Sequence, residues 1–471
     1  MATASPSQAI TAAPALAALR ARFGDQLQTG DAIRAQHGAI EGMIGGGDPD
    51  AVLFATSTDD VAAAVAICGE HRLPVIAHGA GSSLEGQLAA PQGGLSIDLT
   101  AMNQVIAVNA GDLDVRVEAG VTREALNAEL RNHGLFFPLD PGANATLGGM
   151  AATRASGTNA VRYGTMREVT LGLTVVTATG EVIRTGTRAR KSAAGYDLTR
   201  LFIGSEGTLG IITELSLRVF GIPEEIASAV VQFETLEGAV EAVMLMMQIG
   251  LPLARIELLD AVQMGACIAY SQLDEFAEKP TLFMEFHGSP AAVAEQVETV
   301  RAMVGEFGGG DMQFATLTED RNRLWKARHN AWFAAKSLRP GAEAFATDAC
   351  VPISRLAEAV AAAKAAAEDA GLIAPLVGHV GDGNFHMLLL FDPASSEERA
   401  RAHALSDMIA RIALRLGGTA TGEHGIGLHK LPTMADEHGA GALAVMATIK
   451  QALDPQGILN PGKTVPGLTP S

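Results

Sequence analysis

The stretch Gly378–Phe391, GHVGDGNFHMLLLF, constrains the fold more than any other part of the chain. Glycine and asparagine tolerate positive φ, so Gly381-Asp382-Gly383-Asn384 reads as a four-residue turn between two β-strands. With the turn at 381–384, Val380 faces Phe385 and His379 faces His386. Facing residues of a hairpin hold their β-carbons about 4.5–5.5 Å apart, close enough for two imidazoles to share one metal ion. In an unbroken strand the odd separation of the two histidines would put them on opposite faces, so the turn creates the pair. Gly422-Glu423-His424-Gly425 offers a carboxylate as a third donor and an imidazole as a candidate base. The competing reading is two hairpin histidines capping backbone carbonyls, and spacing alone does not separate the two.

A chain of 471 residues exceeds one ordinary core and implies two or three domains. With 48% hydrophobic and 18% charged residues it is a well-buried globular chain. The net charge of −18 argues against a nucleic-acid partner and leaves no basic surface for anionic lipid. Cys68, Cys267 and Cys350 are scattered, which supports neither a disulfide framework nor an iron–sulfur cluster and suggests a reducing compartment. No apolar run approaches the ~20 residues that span a bilayer. The Ala/Ser/Thr/Pro-rich start reads as a frayed tail. A cytoplasmic location follows, with peripheral attachment at the inner face of the membrane left open.

Helices are expected at residues 15–27, 61–70 (after the capping run Ser57-Thr58-Asp59-Asp60), 122–132, 197–202, 236–249, 291–307, 325–337, 351–370 and 397–416. Strands are expected at Val75-Ile76, Leu95–Leu99, Val115–Ala119, two within Thr170–Thr185, one after Gly210, Ala229–Phe233 and Thr281–His287. Between Leu139 and Gly164 a Gly/Ala/Thr/Asn stretch shows neither period for most of its length, and such a stretch within a domain is usually functional. Gly221-Ile222-Pro223 marks a boundary. The divisions are an N-terminal segment 1–44, a domain 45–222, an α+β domain 223–411 with an antiparallel sheet, and a C-terminal segment 412–471.

His78-Gly79-Ala80-Gly81-Ser82-Ser83 follows a strand and could cradle phosphate with backbone N–H groups, but its glycine spacing is not that of a Rossmann fingerprint. Together with Leu139–Gly164, Gly204–Gly210 and Asn460-Pro461-Gly462-Lys463 it resembles the flavin-binding signature of the vanillyl-alcohol oxidase family. Thr347–Ser354 and Arg328–Trp332 resemble the D-2-hydroxyacid dehydrogenase branch, the cytochrome-type D-lactate dehydrogenases in particular. The likeness covers about residues 45–465.

The resemblance implies an α+β fold: a two-lobed PCMH-type FAD-binding domain, a cap domain for substrate and a C-terminal segment returning to the flavin. It places the FAD pyrophosphate against Gly79–Ser83. Around the rest of the flavin it places Pro138, Gly142, Ala143, Thr146, Gly148, Gly149, Thr153, Ser156, Gly157, Ala160, Tyr163 and Gly164. Glu206, Gly210 and Ile211 fall at the adenine side and Asn460 at the ring end. Covalently flavinylated relatives often carry histidine where this chain has Ser82, so dissociable FAD is expected. His379, His386 and Glu423 match the family's metal ligands, for zinc or manganese. Arg328 matches its carboxylate clamp, with a surface salt bridge as the alternative.

His424 then falls to the base, or else partners Glu423. Asn384 orients substrate or supplies the turn's positive φ. Trp332, four residues after Arg328 on an expected common helix face, is a pocket wall or a core aromatic. Hydroxyglutarate-specific relatives carry asparagine where this chain has Leu388, which favours a small or apolar substrate such as D-lactate. The expectation is an FAD- and metal-dependent D-2-hydroxyacid dehydrogenase passing electrons to a separate acceptor (cytochrome, quinone or electron-transfer flavoprotein). The alternatives are a glycolate oxidase flavin subunit, a D-2-hydroxyglutarate dehydrogenase and an ether-lipid-type flavin transferase. A homodimer is plausible at this size.

Overall fold

Helix starts in this chain are set by short polar side chains that accept from the first free N–H groups. Ser57 accepts from the Asp60 amide and begins Thr58–His71, Thr122 does the same for Arg123–Arg131, and Asp260 begins Ala261–Ser271. A computed structural model describes residues 12–39 and 46–467; the extreme N-terminal tail and the division at 44/45 lie outside the described residues.

The strands make three larger sheets. In the first, Leu27–Gln28, Ala51–Phe54, Leu95–Asp98 and Val75–His78 lie in that order, the last three parallel. The second is antiparallel and runs Val105–Asn109, Asp114–Glu118, Ile211–Arg218, Thr170–Val176 and Val182–Gly186. One hydrophobic core joins both lobes and also takes Ile458 and Leu459, because the C-terminal chain returns beside Val75. The Leu139–Gly164 stretch is less irregular than its composition suggests. Thr146 precedes a helix at Leu147–Thr153, and Ala160–Tyr163 makes one more turn.

A second core begins at Ala227 and is built on an eight-stranded antiparallel sheet. Its strand order is Gln313–Ala315, Glu225–Gln232, Thr281–Gly288, Leu253–Leu259, Leu376–Gly378, Asn384–Phe391 and Glu343–Ala346, with Ala349–Cys350 also on Asn384–Phe391. Helices Leu236–Gln248, Pro290–Glu306, Leu356–Ala370 and Ser396–Arg415 bury one face. The division at 411/412 falls inside the last of these, whose Ala413 belongs to the second core. Among the elements unread in the sequence are the strands Ala51–Phe54, Val105–Asn109 and Leu253–Leu259, the helix Ala261–Ser271 and the helix Met434–Leu453, which is interrupted at Gly439.

The sheet's other face carries the site. Strand alternation puts Arg255 and Glu257, Glu285 and His287, His379, Asn384 and His386 on it, and every one of them but Arg255 is under 9% exposed. Alternating charge in a strand usually marks a solvated face; here it marks a face covered partly by the first domain and partly by the helices Ala261–Ser271, Thr318–His329 and Ala331–Ser337. Arg255 reaches Asp140 (3.2 Å) and Asn159 (3.1 Å). His287 donates from Nε2 to Glu285 (2.8 Å), which leaves Nδ1 to accept from the Tyr163 hydroxyl (2.7 Å). Among the described residues no helix is long and apolar enough to cross a membrane.

Candidate active site

The hairpin forms, but its turn is one residue earlier than expected. A 3₁₀ turn occupies Val380–Asp382, Gly383 takes the positive φ (76°), and Val377 pairs with His386. Gly383 therefore does what Asn384 was a candidate to do. His379 and His386 are diagonal rather than facing neighbours, still on one side of the sheet, with ring centroids 5.4 Å apart. A one-residue shift of the loop changes the partner of each residue by two, so the faces are preserved.

Each histidine is held through Nδ1, so that Nε2 points to a common centre. Glu257, across the sheet, lies 2.7 Å from His379 Nδ1, and the Thr347 carbonyl lies 2.8 Å from His386 Nδ1. Glu423 Oε1 is 3.2 Å from His379 Nε2 and 3.4 Å from His386 Nε2. The three donor atoms lie within 4.8 Å of one another, and Glu423 Oε2 is buried without a hydrogen-bond partner. An imidazole fixed through one nitrogen, with the other turned to a shared carboxylate, is the arrangement a divalent cation requires.

Asp348 builds the loop that brings Glu423. Its buried carboxylate accepts from the amides of Glu423 and His424 (2.9 Å each), from Thr421 Oγ1 (2.6 Å) and from Asn384 Nδ2 (2.8 Å). Asn384 also donates to the Ala349 carbonyl (2.9 Å), so its amide nitrogen is engaged within the protein. The His424 ring stacks on His386, 5.1 Å between centroids and 10° between planes. Its Nδ1 is buried, lacks a hydrogen-bond partner and lies 3.6 Å from Glu85 Oε1. Lys430 sits 3.0 Å from that same oxygen.

Burial opposes charge on His379, Glu423, Asp348 and His424, but the opposite charges prevail. His379 is raised well above the ordinary imidazole value by Glu257 and Glu423. Glu423 is held well below the carboxylate range, by His379 above all. Asp348 is lowered by Lys430, His424 and His386, and His424 is raised by Asp348 and Glu85.

Arg328 donates from Nε to the second oxygen of Glu257 (2.8 Å), so one buried carboxylate bridges His379 and Arg328. The single helix expected over 325–337 is two helices, Thr318–His329 and Ala331–Ser337, joined at Asn330. Arg328 and Trp332 therefore do not share one helix face. Trp332 packs with Ala335, Val377, Leu388 and Ala346. Val377 and Leu388 share the histidines' side of the sheet, so an apolar wall stands beside the donor atoms.

The glycine-rich segments converge at the first domain's end of this face. A Cβ on Gly79 would meet Thr146 Oγ1 at 2.2 Å, so these two loops touch only because residue 79 is glycine. Ala80 and Gly81 are exposed, and Ser83 Oγ is buried without a partner. Gly142 has open space where a side chain would be, and Ala143 accepts through its carbonyl from the Ala145 amide. Gly148 and Gly210 serve packing, against Ala119 and Val175 respectively, and Ile211 begins a buried strand. Thr153 bonds within its helix to the Gly149 carbonyl, and Pro138 accepts from Asn159. Gly157 and Gly164 take positive φ where the chain turns around Ser156, Ala160 and Tyr163.

Glu206 accepts from the amides of Ile426 and Gly427 (2.7 and 2.8 Å), which ties the Glu423-His424 loop to the first domain. Asn460 donates to the carbonyls of Gln87 and Glu206 and accepts from Lys463. Glu257 and Glu85 were absent from the sequence reading, and Asp348 entered it only within the Thr347–Ser354 motif, with no role of its own. The available signal for Glu257 was an acid two residues from Arg255 in a strand that is apolar elsewhere.

A family profile described as "FAD linked oxidases, C-terminal domain" matches residues 222–464, and one described as "FAD binding domain" matches 49–186. The chain is 49% identical to a Danio rerio protein named "Probable D-lactate dehydrogenase, mitochondrial", over 96% of this chain and 91% of that protein. It is 45% identical to the "D-lactate dehydrogenase [cytochrome], mitochondrial" of Arabidopsis thaliana, over 89% and 74%. It is 34% identical to "Glycolate oxidase subunit GlcD" of Bacillus subtilis, over 88% of each. Among solved structures, 4-ethylphenol oxidase from Gulosibacter chungangensis superposes with a TM-score of 0.79 over 98% of each chain, and an alkyldihydroxyacetonephosphate synthase with 0.75 over 98% of this chain and 88% of that one, each at 20% identity. The vanillyl-alcohol-oxidase-type fold is thereby shared, and the chain belongs to the FAD-linked oxidases, a family of flavin-dependent oxidoreductases.

Proposed function

We propose that this protein is a metal-dependent D-2-hydroxyacid dehydrogenase that oxidises D-lactate, or a D-2-hydroxy acid of similar size, to the 2-oxo acid. The observation that carries the reading is the convergence of His379, His386 and Glu423 beside Arg328 and the Trp332–Leu388 wall. The names of the relatives support the same substrate class.

The residues fit both absent groups. Ser83 Oγ and the open backbone at Ala80 and Gly81 would hold the FAD pyrophosphate, with Pro138–Gly164 and Asn460 along the rest of it. Bound FAD supplies the acceptor for a hydride from the substrate carbon. A divalent ion would be held by His379, His386 and Glu423 and would supply Lewis acidity toward the substrate hydroxyl. Arg328, fixed through Nε, makes no hydrogen bond from its terminal nitrogens among the described residues, and these grip the substrate carboxylate. His424, stacked on His386, takes the hydroxyl proton; Asp348 and Glu85 hold its loop and ring environment. Val377 and Leu388 offer no polar partner and Trp332 no charged one to a second carboxylate, which favours a small side chain over hydroxyglutarate.

The test is an anaerobic titration of the purified flavoprotein with D-lactate, L-lactate, glycolate and D-2-hydroxyglutarate. D-lactate should bleach the flavin bands at the lowest concentration. Preferential bleaching by glycolate would favour the oxidase-subunit reading, and by hydroxyglutarate would refute the apolar-wall argument. No bleaching by any hydroxy acid would point to the non-redox transferase.

A further inference from the structure

We propose a second divalent-cation site in the flavin domain, formed by His37, His78 and Asp98 and suited to zinc. His37 ends the short helix Asp31–Gly38, His78 ends the strand that leads into Gly79–Ser83, and Asp98 ends the parallel strand beside it. All three side chains are buried, at 4%, 8% and 5% exposure. His37 Nε2, His78 Nδ1 and Asp98 Oδ2 lie within 4.8 Å of one another. This set shares no residue with the His379 cluster and does not depend on that reading.

The hydrogen bonds point to a cation at the centre. His37 donates from Nδ1 to the Ile33 carbonyl (2.9 Å), so its other nitrogen faces Asp98 Oδ2 at 2.9 Å. A neutral ring would set a lone pair against a carboxylate, and something positive must lie between them. A proton would satisfy that contact alone. It would leave His78 Nδ1, which is buried, lacks a partner among the described residues and stands 3.9 Å from the same oxygen, too far for a hydrogen bond. A tetrahedral ion with bonds of about 2.0–2.1 Å sets its donors roughly 3.3 Å apart, and the observed 2.9 and 3.9 Å bracket that spacing. The second oxygen of Asp98 is fixed by the amide and hydroxyl of Thr100, so the carboxylate presents one donor in a set direction.

Two imidazoles and one carboxylate suit zinc and its first-row neighbours rather than magnesium or calcium. The two rings lie 4.3 Å apart between centroids, and the His78 ring lies 3.5 Å from where a Cβ on Gly81 would stand. An ion there ties the N-terminal helix to the root of the exposed Gly79–Ser83 loop.

The experiment uses full-length holoenzyme produced with zinc, desalted over metal-free resin and analysed by plasma mass spectrometry. The parent protein should carry two ions per chain, and the His379→Asn/His386→Asn variant should retain one. Adding His78→Gln should lower that remaining equivalent at least tenfold. Zinc K-edge absorption of the double variant, with His37, His78 and Asp98 intact, should show two imidazole nitrogens and an oxygen donor. If the parent and the double variant both carry one ion that His78→Gln removes, this site stands and the His379 site falls. A double variant without metal, or an ion that survives His78→Gln, would overturn the proposal and leave a protonated His37 paired with Asp98.

Discussion

Glu257 has no place in the proposed chemistry itself, yet one carboxylate positions both the proposed metal ligand His379 and the proposed substrate clamp Arg328. Glu257→Gln keeps the shape but cannot accept from both partners with full charge. Loss of such a supporting carboxylate typically costs about 10–100-fold in metal affinity or activity. Metal titration of the apo-variant should show a shift of that size with an unchanged circular dichroism spectrum, and equal affinity would refute the role. Lys463 offers a pH test. Burial, with only partial relief from Glu206, lowers it to about 7, whereas an unfolded lysine titrates near ~10.4. Between those values the unfolded chain binds more protons, so folding stability rises with pH across the interval. Lys463→Met should flatten the rise in thermal midpoint between pH 7 and 9; an identical slope in both proteins would contradict the assignment.

His379 and His386 were readable as a pair because residue type and a glycine turn sufficed to bring them together, and Glu423 joined them through the family resemblance. Glu257 was not, and the role of Asp348 within the Thr347–Ser354 motif was not. Each is a lone acid whose meaning lies in partners far away in sequence, and no local period announces them. The misplaced turn had no consequence for the faces, because register shifts in steps of two at each strand. The helix Met434–Leu453 was hidden by its glycines, one of which breaks it.

The hairpin is held in register by Gly383. Its positive φ costs a non-glycine residue roughly 1–2 kcal/mol, and a Cβ there would meet the Val351 carbonyl oxygen at 2.1 Å. Gly383→Ala should therefore lower the thermal midpoint of the cap domain by several degrees and weaken metal binding with it. Unchanged metal affinity in a destabilised variant would show that the turn does not set the ligand geometry. The break at Asn330 has its own consequence. Arg328 is aimed from one helix and Trp332 from the next, so the clamp and the apolar wall can be altered separately. Trp332→Ala should raise KM for D-lactate and improve the relative use of larger hydroxy acids, while Arg328→Lys should depress kcat/KM for all of them through loss of paired hydrogen bonds.

The two domains meet across the polar sheet face, where Arg255 joins Asp140 and Asn159 and Tyr163 joins His287. Removing one partner of a buried ion pair costs about 3–5 kcal/mol because the other charge is left behind. Arg255→Ala should raise hydrogen exchange in Ala160–Tyr163 and Leu253–Leu259 together; a rise confined to one of them would refute a shared interface. That interface brings the glycine-rich cradle of one domain against the ligand cluster of the other, and neither half holds the proposed chemistry alone. The most direct measurement is flavin bleaching by D-lactate, without oxygen, in the metal-stripped and the metal-restored protein. Bleaching should vanish on chelation, return with one added equivalent per His379–His386–Glu423 site, and fail to return in His386→Asn. Undiminished bleaching of the metal-free protein would contradict the account.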